Sequence, residues 1–454
     1  MLFAGIEGVE TGAAFRENLT AMARKYSWGQ LDAADIQRIA AKIDAAKAKA
    51  DAFVRSAPIA LIRMARSATD VTTTGASWLG GAPSLGAQEW PRSEHGKHMH
   101  LLAQIALDDL PPDHKPPEMS QTGSLAFFIQ TAADWPLSCR VIHIPRSDGR
   151  ASPLPDNLPV IFAGSDWAAQ NKGHTNSTAP KTFPRWAVEA IPLPQPNPNR
   201  DDAAIAKLQE QFPDTEPTYL SRSKYRETNS DIADLCYWDA AQKFANSLLV
   251  ALEGIEDTIA MTEKRVRDYG ERYQADLDNL TTRRPAFADY VQRTRDWAFA
   301  QPAWTMMRAD DYTLFKEAFA QIRDLHGSKA PFRPFYHLSG GEFYSLDQVV
   351  DLSLTEAAAG PQSVYQALPA ALRADIDRQY RLPGKRMTHQ MFGLGAMVQT
   401  AVEEHANDHL LLQIQSDPMM GWIWGDVGVL QFWISTDDLA AGRWDCVELT
   451  IDAH

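Results

Sequence analysis

Along Leu101-Leu102-Ala103-Gln104-Ile105-Ala106-Leu107-Asp108 an apolar run is interrupted by one glutamine. The same interruption recurs in Leu410-Leu411-Leu412-Gln413-Ile414-Gln415-Ser416-Asp417. Five of the eight positions are identical in one register. Short apolar runs of this length predict strands. Strict alternation puts Gln104 on one face with Leu102 and Ala106, and Leu101, Ala103 and Ile105 on the other. A second matched run follows each copy: Gly123-Ser124-Leu125-Ala126-Phe127-Phe128-Ile129 and Gly428-Val429-Leu430-Gln431-Phe432-Trp433-Ile434. A strand pair that recurs in order predicts an internal repeat, two β units packed about a pseudo-twofold axis.

The rest of the pattern is mostly helical. Asp32 is placed to cap a helix whose apolar stripe is Ile36, Ile39, Ala40, Ile43, Ala46 and Ala50. Phe244, Leu248, Leu249 and Leu252 give one buried face to a later helix. The mixed-charge stretch 263–269 reads as a solvated helix face. A further helix is expected over 364–380, stopping before Pro383-Gly384. Between strand and helix lies a segment, 145–198, holding 10 of the 28 prolines. Its end, Pro192 to Pro198, is expected to be extended and on the surface, because proline supplies no N–H for pairing. The predicted fold class is α+β. Residues 1–70 form a helical N-terminal region and 71–200 a first β unit with the proline-rich segment. Residues 201–385 form a helical insertion and 386–454 a second β unit packing with the first.

Bulk properties narrow the function classes. The chain is 44% hydrophobic and 22% charged, with a formal charge of −14. That charge opposes non-specific binding to nucleic acid or anionic membrane and suits a basic protein or peptide partner. Three widely spaced cysteines, Cys139, Cys236 and Cys446, read as reduced thiols. No leader pattern and no apolar stretch near the roughly 20 residues of a membrane span occurs. The expected setting is the cytoplasm.

Several segments resemble the YwqG-like family of bacterial proteins, which carry a domain of unknown function. Gly80-Gly81-Ala82-Pro83, Glu89-Trp90-Pro91, Leu102-Ala103-Gln104-Ile105 and Gly123-Ser124-Leu125-Ala126-Phe127-Phe128 are similar to its opening. His389-Gln390-Met391-Phe392-Gly393 with Gln399, Leu412-Gln413-Ile414, Trp424-Gly425-Asp426-Val427-Gly428 and Phe432-Trp433-Ile434 are similar to its closing part. The resemblance implies an α+β fold with an internally repeated sheet. It implies no catalytic residues.

Candidate chemistry is sparse. Gln104 and Gln413, if buried, must satisfy both amide and carbonyl, either on backbone or on a ligand at the repeat interface. Trp90, Trp422, Trp424 and Trp433 either pack the core or line a groove. Asp426 reads first as a turn residue. His95, His98 and His100 lack a partner ligand at a recognised spacing. His405 and His409 fall at i, i+4 without the glutamate of a zinc-protease helix. Gly393-Leu394-Gly395 reads as a turn rather than a dinucleotide fingerprint, and neither a nucleophile elbow nor a phosphate loop occurs. No metal, cofactor or catalytic residue is assigned. The candidate ligand-binding set is Gln104, Gln413, Trp90, Trp424 and Asp426, at the junction of the two β units. The function expected is non-catalytic protein or peptide binding, immunity-like toward a toxin or regulatory. The alternative is a hydrolase using Glu89, Asp426 or nearby histidines in the same cleft.

Overall fold

In the computed structural model of the chain, the described residues are 56–67, 70, 76–131, 137–146, 149–162, 179–194, 203–216, 220–326, 345–384 and 388–453, with several helical positions between 34 and 41. Asp32, most of the N-terminal stripe and residues 195–198 lie outside them.

The strongly apolar segments assemble into one ten-stranded sheet. Its strands are β1 Ile59–Arg63, β2 Trp78–Leu79, β3 His100–Ala106, β4 Ser124–Ile129 and β5 Cys139–Ile144. They continue with β6 Trp186–Pro192, β7 His389–Met391, β8 Asp408–Gln415, β9 Val429–Ser435 and β10 Glu448–Asp452. The order is β10-β9-β8-β7-β1-β6-β2-β3-β4-β5. Every neighbouring pair is antiparallel. The sheet curls until its ends nearly meet. Cys139 Sγ on β5 donates to Val447 O just before β10, and the His143 ring lies 5.9 Å from that of Trp444. The architecture is α+β with a nearly closed, barrel-like sheet.

Both copies of the glutamine-bearing run are strands of this sheet. Their faces differ from strict alternation, because β3 carries a bulge between Leu101 and Ala103. The extra residue turns Leu102, Ala103 and Ile105 all toward the main core, while Leu101 joins the opposite face. β8 is irregular at the corresponding place, between Leu410 and Leu412. On the core face Phe127 and Phe432 meet edge to face at 5.3 Å.

Two expectations are corrected. Residues 59–63 fall in the region expected to be helical, yet they form a central strand. Ile59-Ala60-Leu61-Ile62 is wholly buried, and a continuous apolar run flanked by Pro58 suits a strand covered on both faces. The helix expected over 364–380 is two helices, Gln362–Ala367 and Ala370–Gln379. Pro369 disfavours the helical region at Leu368, which sits instead at ψ 150°.

The helical layer packs on the inner face of the sheet. α1 (Ala203–Gln211) instead sets Leu208 against Ala60 and Ile62 on the other face, and within the layer α2 (Trp238–Tyr269) and α3 (Gln274–Ala298) form a long hairpin. They run antiparallel, since Gln242 bonds Ala298 O and Arg284 pairs with Glu256. The first part of α2 is core: Phe244 and Leu248 are buried, and Leu249 and Leu252 pack against them. Beyond residue 256 almost every side chain is exposed or half-exposed, so the hairpin stands out as an arm. At 1.5 Å per residue α2 is about 48 Å long. Helices α4 (Ala309–His326), α5 (Leu346–Ala359) and α6 (Ala370–Gln379) complete the layer, with α7 (Thr436–Ala441) after β9. Among the described residues no helix is long and apolar enough to cross a membrane.

Candidate functional site

The five residues of the candidate set do not assemble. Gln104 and Gln413 are buried clips on loop backbone. Gln104 Oε1 accepts from Ser84 N at 2.8 Å, and Nε2 donates to Ser84 O and Ser124 Oγ, each at 3.1 Å. Gln413 Oε1 accepts from Ala396 N at 2.6 Å. The carbonyl of Ala396 is taken by Gln431 Nε2 at 3.1 Å, and that amide also donates to Gln413 Oε1. One glutamine on β3 does what two do on β8 and β9, since the residue opposite Gln104 is Ala126 and the residue opposite Gln413 is Gln431. The clipped loops begin alike. Gly80 and Gly81 have φ of 59° and 69°, and Phe392 and Gly393 have 59° and 74°. A Cβ on Gly80 would stand 2.1 Å from Pro184 O, so that site requires glycine.

Trp424 is fully buried, 6.0 Å from Trp422 and 6.3 Å from Phe162. Trp433 is also core. Trp90 is half-buried on the opposite face of the sheet, edge-on to Phe128, with Nε1 donating to Met99 O. Asp426 is exposed in a turn between Gly425 and Val427, both at positive φ. Glu89 is exposed as well, and no hydrogen bond or ion pair joins it to Asp426 among the described residues.

The histidines separate too. His95 is exposed and His98 buried in a loop. His100 is buried, with Nε2 donating to Pro159 O at 3.0 Å and Nδ1 facing the Thr131 hydroxyl at 2.9 Å. Burial pushes it down to about 4. His405 and His409 are not on one helix. The helical turn ends at Glu404, His405 stacks on Trp433 at 5.2 Å, and His409 is buried on β8.

The sequence pattern does not reveal a buried charged centre of the sheet. Arg63 ends β1, His389 starts β7 and Asp417 follows β8; each is about 1% exposed. Arg63 donates to Tyr380 O from Nε at 3.0 Å and from Nη2 at 2.6 Å, to Leu382 O at 2.9 Å, and to Asp417 Oδ2. Burial pushes the guanidinium down to about 9, still above neutral pH, so it stays charged. His389 Nδ1 accepts from Gln415 N at 3.2 Å, which leaves Nε2–H to donate to Asp417 Oδ2 at 3.0 Å. Burial, reinforced by the nearby Arg63 charge, holds that imidazole well below its ordinary range, hence neutral. Asp417 Oδ1 accepts from Met419 N at 3.1 Å. Beside this triad Trp186 is flanked by the Arg63 and Arg66 guanidiniums, at 5.3 and 5.2 Å. Arg66 reaches Ala358 O and Gly360 O at the end of α5. The group ties β1, β7 and the loop after β8 to the helical layer, and both nitrogens of His389 are engaged. A proton-transfer role needs a free nitrogen facing substrate, and this imidazole has none. Among the described residues no group of three acidic, histidine or cysteine side chains is arranged for a metal ion.

Fold and site together define an α+β protein whose curled antiparallel sheet is locked by a saturated ion triad and glutamine clips. The family described as a domain of unknown function, DUF1963, matches residues 77–453, and the chain belongs to it. The match begins after β1, although β1 lies at the centre of the sheet. No curated protein matches the chain.

Proposed function

We propose that the chain is a non-catalytic protein- or peptide-binding module, immunity-like toward a toxin or regulatory in its concrete form. One observation carries this reading: the acid–base groups gathered at the sheet centre are sealed and used up by internal bonds. Asp417 spends both oxygens and His389 both nitrogens inside the fold. A hydrolase would need such groups to converge on open space. The positions of Glu89 and Asp426, exposed and unconnected, lend the hydrolase alternative no support. The long arm formed by α2 and α3 supplies what a binder needs, a surface held away from the body.

The same proposal includes an internal repeat about a pseudo-twofold axis between β1 and β6. It is supported by the strand order, by the paired irregularities in β3 and β8, and by the equivalent clips on Ser84 and Ala396. Ser77 Oγ accepts from Ala106 N just as His389 Nδ1 accepts from Gln415 N. A YwqG-like, bacterial and cytoplasmic assignment is supported by the sequence resemblance and by three free thiols.

The test returns the tagged full-length chain to its native host and identifies co-purifying species, each then remixed as a pure component. A stoichiometric protein complex that survives gel filtration is expected. Turnover of ester, peptide or phosphate substrates, lost in a His389→Asn variant that keeps its melting temperature, would end the proposal.

A further inference from the structure

The cations of the helical arm divide into two groups. Near the body they are matched: Arg284 pairs with Glu256 at 2.6 Å, Arg293 with Asp289 at 3.0 Å, and Arg295 bonds Asn246 Oδ1 at 3.0 Å. At the tip they are not. Lys264, Arg265, Arg267 and Arg272 have no ion-pair partner among the described residues, although Asp268 and Glu271 share the tip. Arg267, in the last turn of α2, complements the helix dipole. Arg265 and Arg272 instead lean on an aromatic ring. Their guanidiniums lie 5.9 and 4.8 Å from the Tyr273 centroid, and Arg272 Nη2 donates to Tyr273 OH at 2.5 Å.

Two of the seven exposed large apolar side chains among the described residues, Met261 and Tyr269, lie at the same place. Met261, Arg265 and Tyr269 are spaced i, i+4, i+8 and so share one face of α2. Met261 is 55% exposed and Tyr269 71%, the highest value of any large apolar side chain described. Tyr273 continues the strip, its ring 6.3 Å from that of Tyr269. Exposed tyrosine, methionine and arginine side by side is the composition of recognition surfaces rather than of ordinary solvated helix. Residues 264–273 carry four cations against two acids, with Glu263, Asp276 and Asp278 flanking them, so the positive charge is local to the Arg265, Arg272 and Tyr273 cluster.

We propose that the tip of the α2–α3 arm is a docking site for an acidic peptide segment of a different protein. Its carboxylates would meet Arg265 and Arg272, and an apolar side chain would lie on Met261 and Tyr269. This rests on the binding-module reading and names the surface that performs it. Complementary charge makes the association fast and salt-sensitive.

The test uses the full chain and two fluorescein-labelled peptides, one repeating Glu-Leu-Glu and one repeating Lys-Leu-Lys, read by anisotropy. Saturable binding of the acidic probe is expected, weakening with added salt, with no binding of the basic one. Arg265→Glu combined with Arg272→Glu should weaken it at least about tenfold, and Tyr269→Ala by a similar factor, with unchanged circular dichroism. Equal binding of both probes, or no effect of the tip substitutions, overturns the proposal. So does preferential binding of single-stranded DNA or of phosphatidylserine vesicles, or self-association through the tip seen by sedimentation. Host capture separates the two readings. A partner retained undiminished by the tip variants sinks the tip and spares the binding module; a wild-type chain that captures nothing and ignores the acidic probe removes both.

Discussion

Arg63 and Asp417, separated by 354 positions in sequence, meet in a buried ion pair that joins the first strand to the loop behind the eighth. Desolvating two charges is costly, and what offsets it is the completeness of their bonding. Removing one partner strands the other. Asp417→Ala should destabilise the fold by roughly 3–5 kcal/mol. Arg63→Met combined with Asp417→Leu should cost clearly less than the single change. Urea midpoints of the three variants decide this, and equal midpoints for the single and double variants would contradict it.

Stability should fall on acidification in a window set by buried histidines. His389 and His100 are held neutral in the fold, whereas in the unfolded chain each takes up a proton below about 6.5. The depressed folded value means that the unfolded state binds more protons as pH falls. The contribution is therefore whole above about 6.5 and is lost progressively below it, down to about 4 for His100. Each histidine gives a slope of about 1.4 kcal/mol per pH unit inside its window. Denaturation of the wild type and of His100→Gln at pH 7 and pH 5 measures it. The variant should lose less stability between the two pH values; an identical loss would show that His100 takes no part.

The glutamine clips predict an asymmetry between the two ends of the sheet. Gln104→Ala removes the side-chain bonds to both the N–H and the C=O of Ser84, each worth about 0.5–1.5 kcal/mol. Gln413→Ala frees only the N–H of Ala396, because Gln431 still holds the carbonyl. Gln104→Ala should be the more damaging of the two in thermal melts, and Gln413→Ala with Gln431→Ala should match it. Greater damage from Gln413→Ala alone would refute the division of labour. Peptide capture should survive in all folded variants, since neither side chain faces open space.

A chain beginning at residue 77, the start of the family match, should not fold alone. Without β1, strands β6 and β7 lose their shared neighbour and Asp417 loses Arg63. The expected product shows no cooperative thermal transition, and a synthetic peptide spanning 56–67 should restore one. A melt equal to that of the full chain would show that β1 is dispensable.

The legible parts of the fold were those with a repeated or periodic signal. Leu101–Asp108 and Leu410–Asp417 announce strands because two copies share one register, and Phe244 with Leu248 announces a helix by its spacing. The bulge was not legible, since one extra residue in β3 leaves no mark on composition while it reassigns the faces of Leu101 and Leu102. Nor was β1, where Ile59-Ala60-Leu61-Ile62 follows an alanine-rich stretch whose spacing alone suggests a helix and carries no turn signal except Pro58. The buried centre was hidden for another reason. Asp417 is the last shared position of the repeat, but its counterpart Asp108 is exposed. Its partners Arg63 and His389 have no fixed spacing from it, so only the pairing of β1, β7 and β8 brings them together. Trp90, Trp424 and Asp426 were grouped by residue type, and the two faces of the sheet then separated them.

The place of β1 also sets a timetable. It is synthesised long before its neighbour β7 and the counter-ion of Arg63. At about 5–20 residues per second, synthesis of the 354 residues between Arg63 and Asp417 takes about 20–70 s. For most of that interval Ile59-Ala60-Leu61-Ile62 has β6 and α1 for company but not β7, and a cation destined for the interior lacks its counter-ion. A ribosome pause before Asp417 would lengthen directly the time for which that strand is without β7.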